Sequence, residues 1–262
     1  MVVTIYDLWI SGGRDSVVAA TVAADIAKQE GIRYRVVFIN ELKAFNVPEN
    51  LLPYNPLDYV RKFARWLNAE LVVLEPEFDF WEGVKRWGYP MLFKNRWCFR
   101  KLKKEVLEKF ALQERRQGLD PVWVMGIRRS ESFRRTRLFT KERFVYRYGS
   151  VYVKIWLPIL DWSEEGVKRF IEERGIPENP LWRLGFSFEC LCMAGMTRKK
   201  LDEAIATFPR LYKWLAEKDK EIQQYRRRAD PIYPAPLLDK KIPLYEYVEK
   251  QLASTLEKYL KH

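Results

Sequence analysis

The sequence predicts an α/β fold: a doubly wound, mainly parallel sheet with helices on both faces, followed by a helical C-terminal extension. Three observations predict it. Strand-like and helix-like segments alternate along most of the chain, the order expected of βαβ units. Tyr34–Ile39 is a continuous β-branched and aromatic run, as in a strand buried on both faces. The turn Ser11-Gly12-Gly13-Arg14-Asp15-Ser16 leads from the first strand directly into the first helix.

Taken in order, Val2–Ile10 reads as a strand. Ser16–Lys28 reads as a helix with Val17, Val18, Ala20 and Ala24 available for burial. Tyr34–Ile39 is the second strand. A Pro- and Asn-rich loop, Phe45–Pro56, leads into a helix near Leu57–Leu67, and is long enough to serve as a lid. Leu71–Leu74 is a strand. The aromatic stretch Phe78–Trp87 reads as a loop packed on the sheet, or else as a pocket lining. Cys98–Glu114 is an amphipathic helix and Val122–Gly126 a strand. Phe144–Tyr148 and Val151–Trp156, joined across Gly149-Ser150, form a hairpin. Ser163–Arg174 is a helix capped by Ser163, with Glu164 and Glu165 in its first turn. After Thr197 the pattern is helical, broken by Asp230–Pro236. The expected division is an α/β domain over 1–195 and a helical region over 196–262.

The chain has 262 residues, 48% of them hydrophobic, enough for a sizeable core. Its net charge of +12 favours anionic partners such as nucleotides, sulfate esters or nucleic acid. No apolar run approaches membrane-spanning length, and the strand-like start lacks the features of a signal peptide. A cytoplasmic location without membrane association is expected. The abundance of Lys, Arg and Glu is the composition of many thermophile proteins. The single histidine, His262, is terminal, which disfavours histidine general-base catalysis and histidine-ligated zinc. Three cysteines, Cys98, Cys190 and Cys192, are too few for a secreted disulfide framework.

The turn Ser11–Ser16 has the residues an anion site needs. Glycines let main-chain N–H groups approach closely, and a helix N-terminus attracts phosphate. Ser11 and Ser16 bring hydroxyls, and Arg14 a cation. The turn lacks the Gly-Lys-Ser/Thr ending of a Walker loop and the spaced glycines of a dinucleotide fingerprint. A purely geometric role for the glycines is the plain alternative. The same holds for Arg128, Arg134, Arg135 and Arg137, which follow the predicted strand Val122–Gly126: they read either as a solvated face or as the wall of an anion crevice.

S-G-G-x-D-S after the first strand resembles the PP-loop of the adenine nucleotide alpha-hydrolase superfamily. That superfamily includes N-type ATP pyrophosphatases, tRNA thiolation enzymes and the phosphoadenylylsulfate (PAPS) reductase family. Arg14 stands where many members have lysine. Gly126-Ile127-Arg128-Arg129-Ser130-Glu131-Ser132-Phe133-Arg134-Arg135 resembles the G-x-R-x-x-E-S-x-x-R segment of PAPS-reductase-like proteins. Arg96-Trp97-Cys98 with Lys103 resembles their R-W-C-C…K element. Leu157–Trp162 resembles their P-I-x-D-W stretch, and Ile176-Pro177-Glu178-Asn179-Pro180-Leu181 their I-P-x-N-P-L.

The resemblance implies a Rossmann-like nucleotide-binding domain and a set of roles. Ser11, Gly12, Gly13 and Ser16 would hold the phosphates of ATP or an adenylyl nucleotide. Phe38 and Asn40 would border the adenosine. Gly126 and Arg128 would lie at the mouth of the fourth strand. Arg14, Arg128 and Arg135 would stabilise developing negative charge, with Mg2+ placed by Asp15 or Asp161. Adenylylsulfate reductases of this family pair Cys-Cys with Cys-x-x-Cys around a [4Fe-4S] cluster. Here Cys98-Phe99 stands in the first place and Glu189-Cys190-Leu191-Cys192 in the second. The resemblance therefore implies at most a three-cysteine cluster site at Cys98, Cys190 and Cys192, against the alternative of ordinary buried thiols. The nucleophilic cysteine of the PAPS reductase tail has no counterpart after Cys192.

Three functions follow. The first is an ATP-cleaving enzyme that forms an adenylylated intermediate and passes sulfur to it. Its implied partners are a sulfur-donor protein and a tRNA or DNA substrate. The second is a sulfonucleotide reductase using the three-cysteine cluster or a partner's thiol. The third is a non-catalytic nucleotide- or nucleic-acid-binding protein. Arg198-Lys199-Lys200 and Arg226-Arg227-Arg228, near Tyr212, Trp214 and Tyr225, would serve nucleic acid, or form solvated helix surface.

Overall fold

The computed structural model describes residues 3–52, 54–92, 94, 96–186, 190–226 and 232–260, the side chains of residues 134 and 255–260 excepted. The chain divides into two compact units, and not at residue 195. The first unit comprises Met1–Asn40, Tyr54–Glu75 and Lys104–Glu189; the second comprises Glu41–Pro53, Pro76–Lys103 and Cys190–His262.

The first unit is built on one six-stranded sheet. Its strands are β1 (Val3–Ile10), β2 (Arg33–Ile39), β3 (Glu70–Leu74), β4 (Leu119–Met125), β5 (Arg143–Tyr148) and β6 (Val151–Trp156), in the order β3-β2-β1-β4-β6-β5. All pairings are parallel except the β5–β6 hairpin. Strand order runs outward in both directions from β1, so the carboxyl ends of β1 and β4 lie side by side at the reversal, where open α/β sheets bind ligands.

Two layers of core cover the sheet. On one face pack α1 (Arg14–Glu30), α2 (Pro56–Leu67) and α6 (Glu164–Glu173), burying Leu8, Val36 and Phe38 with Val18, Phe63 and Val167. The alanines of α1, Ala19, Ala20, Ala23, Ala24 and Ala27, are fully buried and let that helix sit close to the strands. On the other face α4 (Glu105–Arg116) packs Leu107, Phe110 and Ala111 against Val37, Trp123 and Ile155. Val36 and Val37 thus serve opposite faces, as the continuous apolar run requires.

The predicted helix Cys98–Glu114 is interrupted by a π-helical segment, Phe99–Lys104. The loop after β4 contains a 3-10 turn, Arg129–Glu131, and the short helix α5 (Phe133–Leu138), capped by Ser132.

The second unit gathers two insertions with the C-terminal helices α7 (Arg198–Thr207), α8 (Pro209–Tyr225) and α9 (Leu244–Leu260). Phe78–Trp87 is not a loop: Phe80–Trp87 forms α3, whose first turn Asp79 caps through Trp81 and Glu82 N–H. Phe45, in the stretch read as a lid, is fully buried and stacks on Phe80 at 4.2 Å. Trp81 meets Phe45 and Trp214, and Trp97 meets Phe80 and Trp87. Gly83 fits within α3 for lack of a side chain, since an added Cβ would stand 2.3 Å from the Trp97 ring. Asp219 of α8 accepts from Tyr89 Oη at 2.9 Å and from the Tyr245 N–H at 3.1 Å. Burial pushes its pKa up to about 6. Among the described residues no helix is long and apolar enough to cross a membrane.

Candidate phosphate loop and cysteine triad

The loop between β1 and α1 is held from three sides. Gly12 adopts φ +85°, a conformation glycine reaches without strain. Its carbonyl accepts from Asn179 Nδ2 at 3.0 Å and from Trp182 Nε1 at 2.8 Å. Asn179 is fully buried and also accepts from the Leu181 N–H at 3.0 Å. Within the loop, Ser16 Oγ accepts from the Ser11 N–H at 3.2 Å and donates to the Gly13 carbonyl at 2.8 Å. Ser11 Oγ accepts from the Gly13 N–H at 3.3 Å. No side chain caps the first turn of α1, whose N-cap is Gly13.

Gly126 at the end of β4 closes the loop from below. A Cβ there would stand 2.5 Å from Ser16 Cα and closer still to the Asp15 carbonyl. The main chains of β4 and α1 therefore meet directly.

The charged residues are arranged in pairs. Arg128 Nε lies 2.9 Å from Asp15 Oδ2, and Arg128 Nη1 donates to Ser130 Oγ at 3.1 Å. Arg135 pairs with Glu131, and Arg129 with Asp161. Arg129 also donates to the Phe139 and Thr140 carbonyls at 2.8 and 2.9 Å, which ties the arginine-bearing loop together. Arg14 donates to the Trp182 carbonyl at 3.3 Å and lies over that indole at 5.5 Å. Beside Arg14 opens a cleft of about 480 Å³ lined by Lys168, Ile171, Glu178 and Trp182.

Asn40, at the end of β2, donates from its main chain to the Leu74 carbonyl at 2.8 Å and from Nδ2 to Glu75 at 3.3 Å. Phe38 is 2% exposed and its ring belongs to the core. The Phe38 side chain, expected to border an adenosine, is thus a packing group, whereas that of Asn40 is partly exposed.

In the second unit the three thiols converge. All are free of disulfides. Cys98 and Cys190 both hydrogen-bond to Cys192, and the Cys192 N–H donates to Cys190 Sγ at 3.3 Å. The two donated bonds hold the Cys192 thiol well below the ordinary range, and they together with burial push Cys98 and Cys190 up. Lys103 adds a positive field and pairs with Glu41 at 3.0 Å. As they stand, no three acidic, histidine or cysteine side chains among the described residues are disposed to hold a metal ion. The arrangement is a hydrogen-bonded thiol triad. Glu189 lies outside the described residues.

The family model described as phosphoadenosine phosphosulfate reductase domain matches residues 6–210. The chain belongs to this family. Among relatives of this PAPS-reductase-family chain, an uncharacterized protein of Methanocaldococcus jannaschii is 28% identical over 211 residues, covering 78% of this chain and 45% of that protein. Phosphoadenosine 5'-phosphosulfate reductase of Vibrio campbellii is 29% identical over 151 residues, covering 57% and 47%. That of Aliivibrio fischeri is 32% identical over 92 residues, covering 31% and 33%. The chain therefore spans less than half the length of these relatives. Among solved structures, PAPS reductase from Candida auris in its phosphate complex gives a TM-score of 0.44 at 20% identity, covering 70% of this chain and 78% of that one. FMN adenylyltransferase of Candida glabrata, with FAD and inorganic pyrophosphate, gives 0.43 at 18%, covering 70% and 52%.

In this PAPS-reductase-family chain the structure brings Ser11, Gly12, Gly13, Arg14, Asp15, Ser16, Gly126 and Arg128 to one end of the sheet. Phe38, the register partner of Ile10, lies at the same end with its ring turned into the core. Sequence reasoning gave no role to Asn179 and Trp182, although both sit in or beside the I-P-x-N-P-L stretch. A buried asparagine between prolines was the available signal, because a buried amide needs partners. Asn179→Ala would leave the Leu181 N–H and one acceptor site of Gly12 unmet. We expect a loss of about 1–3 kcal/mol in denaturant unfolding, with weakened nucleotide affinity in calorimetry.

Proposed function

We propose that this chain binds ATP or an adenylyl nucleotide at Ser11–Ser16 and catalyses cleavage at the α-phosphate, for sulfur transfer or sulfonucleotide metabolism. The observation that carries the reading is the uncapped first turn of α1, fixed at the strand-order reversal by Gly126, Asn179 and Trp182. Its main-chain N–H groups and helix dipole favour a phosphate there. Family membership supports the same reading.

In the proposed reaction a substrate oxygen attacks the α-phosphorus, the α–β bridging P–O bond breaks, and pyrophosphate leaves with that electron pair. A sulfur nucleophile then displaces AMP from the adenylylated product. Preorganised cations lower the barrier because charge moves onto the leaving oxygens. Arg14 reaches the phosphates by leaving the Trp182 carbonyl, and Arg128 and Arg135 by exchanging Asp15 and Glu131 for them. Asp15 and Asp161, both at present paired to arginine, are the carboxylates that would hold Mg2+, which when bound would neutralise phosphate charge. The sulfur donor and the acceptor, a nucleic acid among them, are the partners this chemistry requires.

The test is incubation of anaerobically purified protein with labelled ATP and Mg2+, with and without RNA or DNA. AMP and pyrophosphate are expected; sulfite released from adenylylsulfate instead would favour the reductase. Arg14→Ala should raise the Kd for a non-hydrolysable ATP analogue about tenfold or more, the size of a lost charge-assisted hydrogen bond, while Arg14→Lys retains most of the affinity.

The thiol triad favours the reductase as a second reading. Thiolates of Cys98, Cys190 and Cys192 are soft donors of the kind that hold iron, and would have to exchange their mutual hydrogen bonds for it. Anaerobic reconstitution with iron and sulfide should then produce visible absorption that Cys192→Ser removes; colourless protein counts against it.

A further inference from the structure

The β5–β6 hairpin ends the sheet at one edge. In its register Arg143 stands opposite Trp156, Val145 opposite Lys154 and Arg147 opposite Tyr152, so these six share one face. The alternate residues of β6, Val151, Val153 and Ile155, enter the core with α4. The first face is covered by α1 over β1 and β4 and is closed at Trp156, which is buried, but over the rest of the hairpin it is open. Val145 is 61% exposed and Tyr152 67%.

The two arginines on this face are exposed and rest on rings. Arg143 lies 4.2 Å from the Trp156 ring centre and Arg147 5.9 Å from that of Tyr152. Among the described residues neither pairs with a carboxylate, and Arg147 donates to the Gly149 carbonyl at 2.8 Å. Lys154, by contrast, is neutralised by Asp120 at 2.5 Å. Stacked guanidinium groups keep their donors available to phosphate, and an exposed ring offers a platform for a base.

We propose that this hairpin face binds single-stranded nucleic acid, with Arg143 and Arg147 on backbone phosphates and Tyr152 stacked on a base. The other way to cover an edge strand is a second copy of the chain. Two copies of β5 paired about Val145 would set Arg143 of one opposite Arg147 of the other, and directly opposed like charges are unfavourable. An anionic partner satisfies the same groups, and a net charge of +12 attracts it at long range. The C-terminal basic residues suggested by sequence serve less well. Arg198 and Lys200 are paired with Asp239 and Glu203, and Tyr212 is buried. Arg227 and Arg228 lie outside the described residues.

The proposal stands apart from the nucleotide chemistry, because affinity is read without ATP. The experiment is fluorescence anisotropy of labelled single-stranded RNA and DNA, and of the matching duplex, over a series of salt concentrations. Single strands should bind with a linear log-log salt dependence. Arg143→Gln/Arg147→Gln should reduce that slope by about 1.4, from roughly 0.7 per phosphate contact on a single strand. Tyr152→Ala should weaken single-strand binding about tenfold or more with the slope unchanged, as for a lost stacking platform. Unchanged thermal melts would show that these surface variants fold. The proposal is overturned by absence of binding at low salt, by equal affinity for duplex, or by loss of binding on Arg198→Gln/Lys199→Gln/Lys200→Gln with none from the hairpin variants. A dimer in sedimentation that the hairpin variants dissociate would equally overturn it in favour of a second copy.

Discussion

Gly126→Ala is expected to abolish adenine-nucleotide binding and to lower the melting temperature by roughly 2–12 °C. The added methyl would stand 2.5 Å from Ser16 Cα and nearer still to the Asp15 carbonyl. Both obstacles are main chain, so no rotamer change relieves the overlap. The first turn of α1 is tied at Gly12 to Asn179 and Trp182, and its alanines are flush against the sheet. Relief therefore requires the helix to lift from β4. Overpacking of this kind costs roughly 1–3 kcal/mol, and each kcal/mol moves the melting point by about 2–4 °C in a chain of this size. Calorimetric melting and ATP-analogue titration check both parts. Gly195→Ala is the control, since a Cβ there meets nothing within 4 Å. A Gly126→Ala protein with unchanged melting and affinity would show that β4 and α1 do not meet as described.

Glu114→Gln should remove a component of stability that falls as pH rises from about 5 towards 9. Asp7, Arg35 and Glu114 form a buried network: Arg35 lies 2.7 Å from Asp7 and 2.5 Å from Glu114, and Trp123 Nε1 donates to Glu114 at 3.0 Å. Two carboxylates share one arginine, so one proton completes the set. Burial and the neighbouring Asp7 push the Glu114 pKa up from 4.5 to about 9. The folded chain thus holds a proton that the unfolded chain has released. Stability from this group is complete below the unfolded value and is lost as pH climbs through the folded one, by up to about 1.4 kcal/mol per pH unit. Asp219, raised from 3.8 to about 6, acts in the same direction at lower pH, while the lowered Cys192 thiol acts in the opposite direction below about 9; both cancel in the difference between the parent and Glu114→Gln, which therefore isolates Glu114. Denaturant unfolding at a series of pH values, followed by tryptophan fluorescence, measures the slope. A glutamine keeps an acceptor for Trp123 and a donor for Asp7 and carries no titrating proton. Equal slopes in both proteins would refute the shared-proton arrangement.

The sheet was legible because strand and helix periods are local signals. Tyr34–Ile39 announced a doubly buried strand, and Gly12-Gly13 announced a turn that only a particular backbone makes. The hairpin was legible for the same reason, from two alternating runs around Gly149. The paired charges were not, because Asp15 and Arg128 are brought together by the crossover between β1 and β4 rather than by spacing. Asn179 was quoted within a motif, yet its bond to Gly12 spans 167 positions. The second unit was hidden most completely. Glu41–Pro53 and Pro76–Lys103 each look like connections between elements of the sheet domain, and nothing near Trp81 in sequence shows that a packing partner arrives with Trp214.

That interrupted unit governs the order in which the molecule can be finished. A ribosome delivers Phe45, Phe80 and Trp81 well over a hundred residues before Trp214, whereas the sheet has all its strands once Trp156 emerges. The early aromatic rings must therefore wait for Trp214 after the last strand has been made. In that interval they are the surface on which nascent chains would stick to one another or be held by a chaperone.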